Sequence, residues 1–178
     1  VPIFREMRNH YLENNYSPVI GVEISGKPDL FGSIREVMEL CHRVRGVIPV
    51  INWPHLHARG GRWLNDRDSF KRVFKYLDDS LGLKDFYMHF SGVEFDIEGN
   101  ERHYSRIKKG EIKFEYLAEA ILENDYNVIV ISDSPLMEHD AMYMKLITER
   151  VEARRQERMA RREAADKIKE SRKAAASK

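Results

Sequence analysis

Val47-Ile48-Pro49-Val50-Ile51-Asn52 is an almost unbroken apolar run that ends on an amide, and Trp53-Pro54-His55-Leu56-His57 follows it at once. A run of this length and type suits a strand buried on both faces, the environment of a parallel sheet. Three other runs share its character: Val19 to Ile24, Phe86 to Phe90 and Val128 to Ser132. The segments between them have helical spacing of apolar residues. Ser33 to Val44 reads as a helix with Ser33 as N-cap and Glu36 completing a capping box, and Ser69 to Leu81 and Lys113 to Asn124 repeat the i, i+3, i+4 pattern. The order β-α-β-α-β-α-β-α with right-handed crossovers predicts an α/β fold on a parallel sheet.

The chain has 178 residues, 42% of them hydrophobic and 33% charged, with a single cysteine. That composition excludes a disulfide scaffold, a collagen-like chain and a disordered chain. No run approaches the ~18 apolar residues of a membrane span, and the opening segment lacks the charged-then-apolar layout of a secretion signal, so a cytoplasmic protein is expected. Cys41 lies in an apolar helical pattern and reads as a small buried hydrophobe. The formal net charge of +1 conceals two regions of opposite sign. Residues 148–178 hold 11 Lys+Arg against 6 Asp+Glu, leaving 19 against 23 in residues 1–147. The basic stretch is rich in Ala, Arg, Glu and Lys and has no Gly or Pro, which predicts a charged, solvated helical tail at 148–178 beside a domain at 1–147.

Each strand ends in a polar or charged residue: Glu23, then Asn52 with His55, then His89, then Asp133. Carboxylates and imidazoles converging on one rim suit a divalent transition metal, and barrel enzymes place their chemistry at this end of their strands. A dinucleotide-binding turn is not expected, because Glu23-Ile24-Ser25-Gly26-Lys27-Pro28 lacks the second and third glycines of that fingerprint. Two loops carry the remaining candidates. The segment from Ile51 to Trp63 holds His55, His57, Arg59, Arg62 and both tryptophans. In an extended stretch His55 and His57 would point to the same side. Trp53 and Trp63 read as packing beneath the loop or as stacking platforms for a base or sugar. The second stretch, Phe90 to Glu111, reads as a long irregular loop in which Glu101 and His103 alternate with Arg102.

Gly21-Val22-Glu23, Asn52-Trp53-Pro54-His55, His89-Phe90-Ser91-Gly92, Glu101-Arg102-His103 with Lys108-Lys109-Gly110-Glu111-Ile112, and Val130-Ile131-Ser132-Asp133-Ser134-Pro135 occur in one order along the chain. In order and spacing these five motifs resemble the endonuclease IV family of apurinic/apyrimidinic endonucleases, within the xylose-isomerase-like TIM-barrel group. The likeness covers residues 17–147. It implies (β/α) units forming the C-terminal half of a TIM-type barrel. It also implies up to three zinc ions, with Glu23, His89 and Asp133 at the deeper site and His55, Glu101 and His103 around another. Glu23 and Asp133 would serve the chemistry, hydrolysis of phosphodiesters at abasic sites in DNA, while Arg59, Arg62, Arg102, Lys108 and Lys109 would meet phosphates. The alternatives kept beside this are a sugar or sugar-derivative isomerase using one metal on the same barrel, and a non-catalytic half-barrel that binds nucleic acid.

The chain departs from the family pattern at three ligand positions and in length. Asn52 and Glu101 stand where the family has aspartates, and Asp133 where it has a glutamate. A full barrel takes at least ~200 residues, and those before the tail supply four units. The chain is therefore expected to be a fragment of a longer protein, or to pair with a missing N-terminal half-barrel or a second copy. Asn52→Asp is expected to tighten zinc binding if Asn52 faces the strand-end group. If Asn52 instead donates hydrogen bonds to Glu23 and Asp133, the added charge is expected to destabilise the metal-free fold. Zinc titration by calorimetry, with melting of both variants without metal, separates the two outcomes.

Overall fold

A computed structural model of the chain describes residues 1–124 and 126–176. The last two residues of the predicted tail, 177 and 178, lie outside them. Helix α1 (Pro2–Glu13) precedes strand β1 (Ile20–Glu23), helix α2 (Ile34–Arg43) and strand β2 (Val47–Asn52). Next come two helices, α3 (Trp53–Arg59) and α4 (Arg67–Leu81), and strand β3 (Asp85–Phe90). Strands β4 (Gly92–Phe95) and β5 (Glu101–Ser105) form an antiparallel pair, before α5 (Phe114–Asn124), β6 (Asn127–Ser132) and α6 (Glu138–Ala176). The four expected strands form one parallel sheet in the order β1-β2-β3-β6.

One face of this sheet makes the core. Val47, Ile51, Phe86, Met88 and Phe90 are buried against α2, α4 and α5, which contribute Val37, Met38, Phe70, Phe74 and Leu117. The expected capping box forms, with Ser33 Oγ accepting from the Glu36 N–H and the Glu36 carboxylate accepting from the Ser33 N–H. Cys41 sits in this core, where burial pushes its thiol up to about 11, so it is a packing residue and not a nucleophile. No helix among the described residues is long and apolar enough to cross a membrane.

Three segments differ from the sequence reading. The segment after β2 is helix α3, because Asn52 caps it, accepting from the His55 N–H at 3.1 Å, and Pro54 occupies its first turn. The long loop after β3 contains the β4–β5 hairpin. The tail's helix starts earlier than 148: α6 runs unbroken over Glu138–Ala176, with Met144 and Val151 in the core.

Helical geometry also separates the two histidines of α3. His57 is fully buried; its Nδ1 accepts from the Leu64 N–H at 3.1 Å and its Nε2 faces Glu111 at 3.5 Å. It therefore holds the turn into α4, with its ring proton on Nε2. Burial lowers the proton affinity of this ring, and Glu111 opposes the shift only in part. Below about pH 6.5 the unfolded chain thus binds a proton that the folded chain does not, so stability falls as the pH drops. The melting temperature is expected to fall between about pH 7 and 5, with a smaller slope in His57→Asn, which keeps an acceptor for Leu64 without titrating. Equal slopes in calorimetric melts of the two proteins would remove His57 from this role.

Candidate metal centre

Parallel strands run in one direction, so residues that close them share one rim. Glu23 ends β1, Asn52 ends β2, His89 lies one residue before the end of β3, and Asp133 follows β6. The register sets Asn52 beside His89 and His89 beside Ile131, which brings these ends level. Glu23, His89 and Asp133 each offer a ligand atom within 4.8 Å of the others. His89 Nδ1 meets both Asp133 oxygens, at 2.8 and 2.9 Å. The donors are one imidazole nitrogen and two carboxylates, a set that fits one divalent ion such as zinc.

Asn52 ties the two carboxylates to one side chain of the sheet. Its side chain is fully buried, and its Oδ1 is committed to capping α3. Its NH2 group must then face the rim, where it donates to Glu23 Oε1 at 2.6 Å, to the Tyr104 hydroxyl at 2.9 Å and toward Asp133 Oδ2 at 3.4 Å. An aspartate here would replace a shared donor with a third negative charge.

From Asn52 a second chain of contacts runs outward. The Tyr104 hydroxyl accepts from Asn52, so its own proton goes to His55 Nε2 at 2.9 Å, and the ring proton on His55 Nδ1 points to Glu101 Oε2 at 2.7 Å. Burial pushes the Tyr104 phenol well above its ordinary value, with the carboxylates of Glu101, Asp133 and Glu23 adding to the effect against the Asn52 hydrogen bond. The phenol keeps its proton. Tyr104 escaped the sequence reading because the ladder is irregular. Glu94 and Phe95 pair with His103 and Glu101, leaving Arg102 as an extra residue. Such a bulge interrupts the two-residue alternation. Glu101 and Tyr104 consequently share the inner side, while His103 meets Glu94 at 3.2 Å on the exposed side of the hairpin. Of the three residues expected around a further ion, His55 and Glu101 come together and His103 does not join them.

The basic residues also divide. Arg59 donates to the carbonyls of Ser25, Lys27, Pro28 and Leu30 and holds the loop between β1 and α2. Arg62 pairs with Glu111 and lies 4.6 Å over the Phe95 ring. Both are internal fasteners. Arg102, Lys108 and Lys109 are exposed and make no side-chain hydrogen bond or ion pair among the described residues. Trp53 is packing: it is fully buried against Phe70 and Phe74, with its indole N–H 3.2 Å from Met88 Sδ.

No protein-family model matches the chain. It is similar to the uncharacterized protein MJ0133 of Methanocaldococcus jannaschii, 29% identical over 133 residues. The similar stretch is 73% of this chain and 48% of the relative, so the chain spans about half the length of the relative it matches.

Two substitutions check this geometry. Asn52→Asp is expected to lower stability without divalent ions by about 2–3 kcal/mol, the cost of losing a buried donor between carboxylates, and to recover on adding zinc. Chemical denaturation with and without zinc measures this; an unchanged midpoint without metal would show that the amide is not bridging the rim. Arg59→Ala is expected to cost about 2 kcal/mol and to expose the loop at 25–30 to proteolysis. A protease-resistant variant of wild-type stability would refute that role.

Proposed function

We propose that this chain belongs to a divalent-metal-dependent enzyme built on a TIM-type barrel, with a single ion held by Glu23, His89 and Asp133, and that it acts as an isomerase or epimerase on a sugar or sugar derivative. The observation that supports this reading is the convergence of two carboxylates and an imidazole within 4.8 Å at the carboxyl ends of parallel strands. When bound, the ion supplies a Lewis acid that polarises a substrate oxygen. The chain's own groups supply the rest. Glu23 gives one oxygen to Asn52, and its other oxygen, which accepts no hydrogen bond from the described residues, would be the one offered to the ion. Tyr104, His55 and Glu101 form a hydrogen-bonded row that fixes the side of the rim next to Asn52.

Cleavage of DNA at abasic sites stands as the second reading, favoured by the free cations of Arg102, Lys108 and Lys109. The ligand arrangement supports it less: both ring nitrogens of His55 are occupied by Glu101 and Tyr104, and His103 faces Glu94.

Metal analysis of the purified chain is expected to find close to one divalent ion per chain and its loss in His89→Ala. In heavy water, proton NMR is expected to show exchange of the hydrogen beside the carbonyl of an aldose or ketose substrate, abolished in Glu23→Gln. Incision of an abasic duplex without such exchange would favour the second reading. Absence of bound metal, with wild type and His89→Ala indistinguishable, would overturn both.

A further inference from the structure

Past Val151 the helix α6 leaves the core, and residues 156–171 are all exposed. This part of the helix is charged all round, but the charges are sorted by sign. At about 100° per residue, Arg150, Arg154, Arg155, Arg158, Arg161 and Arg162 fall within about 140° of the circumference, and Lys169 extends the row. Glu152, Glu157, Glu163, Asp166 and Glu170 all fall outside that arc. From Arg150 to Lys169 the stripe is about 28 Å long.

This sorting works against the helix itself. Arg150, Arg154, Arg158 and Arg162 stand at successive i, i+4 steps, where like charges repel and destabilise an isolated helix. The rest of the chain answers only part of the charge. Arg154 meets Glu115 at 2.6 Å and Arg155 donates to the Leu122 carbonyl. Arg158 lies 3.8 Å from Glu123, a carboxylate already paired with Arg67 and Lys71. Arg150, Arg161, Arg162 and Lys169 make no side-chain hydrogen bond or ion pair among the described residues. A helix held up by its own ion pairs mixes the two signs along each face; a row of unanswered guanidinium groups suits an extended anion.

We propose that this stripe binds double-stranded DNA through its phosphates, without reading the sequence. Guanidinium groups bind phosphate oxygens in pairs, a duplex presents about one negative charge per 1.7 Å of its axis, and its major groove admits an α-helix. The acidic side of α6 then faces solvent. A membrane surface fits this helix less well, because an interfacial helix carries a continuous apolar face. The large exposed apolar residues here, Met159 and Ile168, are nine positions apart and so about half a turn out of phase. Residues 1–147 hold 19 Lys+Arg against 23 Asp+Glu, so the positive excess of the chain lies in the region of the stripe. The proposal rests on α6 and stands whichever activity the rim supports.

Fluorescence anisotropy of the full chain with a labelled duplex of about 20 base pairs tests it, in chelating buffer so that no metal-dependent cleavage intervenes. Expected is a micromolar dissociation constant at low salt that rises with salt at a log–log slope of about 4–6. Changing Arg161→Gln and Arg162→Gln together is expected to weaken binding at least about tenfold and to reduce the slope by about 2, while Lys167→Gln, outside the arc, leaves binding within about twofold. Glutamine is a good helix former, and circular dichroism checks that the helix persists. No binding at low salt, or equal binding by wild type and the double variant, would overturn the proposal. So would stronger competition by polyglutamate or anionic vesicles than by unlabelled duplex. Loss of binding on changing Arg102, Lys108 and Lys109 to glutamine, with the α6 variant unaffected, would assign the DNA to the hairpin side of the rim instead and overturn it as well.

Discussion

The rim is organised by the amide of Asn52. One oxygen caps α3, which fixes the direction of the NH2 group, and that group then holds two carboxylates from opposite edges of the sheet and the hydroxyl of a hairpin residue. The cost of burying a polar side chain is offset because both of its ends are used. Removing either role disturbs the other. Without the cap, α3 would lose its start; without the donor, Glu23 and Asp133 would face each other with no neutralising group between them.

Packing makes this arrangement rigid. Trp53, the first residue of α3, is locked against Phe70 and Phe74 of α4, and the buried His57 ties the end of α3 to Leu64. His55 lies between these two anchors on the other side of the short helix, so its ring has little freedom to leave Tyr104 and Glu101. The hairpin is fastened separately, by Arg62 and Glu111 against Phe95 and by a close approach of Gly110 to Gly92, where a Cβ on Gly110 would lie 2.5 Å from the Gly92 Cα. Site geometry thus depends on two supports, one on each side of Asn52.

Much of this was legible in the sequence, and the misses share one cause. The four strands, the capping box of α2 and the meeting of Glu23, His89 and Asp133 follow from apolar runs and from what closes them, because strand direction alone sends those closing residues to one rim. Periodicity fails where a single residue changes the local rule. Asn52 turns the next segment into a helix, which sends His55 and His57 to different environments. The extra residue Arg102 shifts the alternation of β5, exchanging His103 for Tyr104 at the site. The arginines misled for a related reason: a charge count cannot tell a free guanidinium from one that is satisfied by four carbonyls, as Arg59 is.

Charge at the rim sets what it can attract. Glu23, Asp133 and Glu101 bring three carboxylates into one connected network, and the partners they have there are an amide, a phenol and two imidazoles. The nearest arginines of the same loops, Arg59 and Arg62, are turned to backbone carbonyls and to Glu111. The network is therefore rich in carboxylate oxygens, and no Lys or Arg side chain among the described residues is paired with them. Partly enclosed carboxylates without a balancing cation favour a small divalent ion, which can approach two of them at once, over a bulky cation that must stay in solvent. A phosphate-bearing substrate would meet repulsion at this rim unless such an ion were bound first, whereas a neutral polyol would not. On the proposed function, the charge that would draw a metal to the rim would also favour neutral substrates over anionic ones.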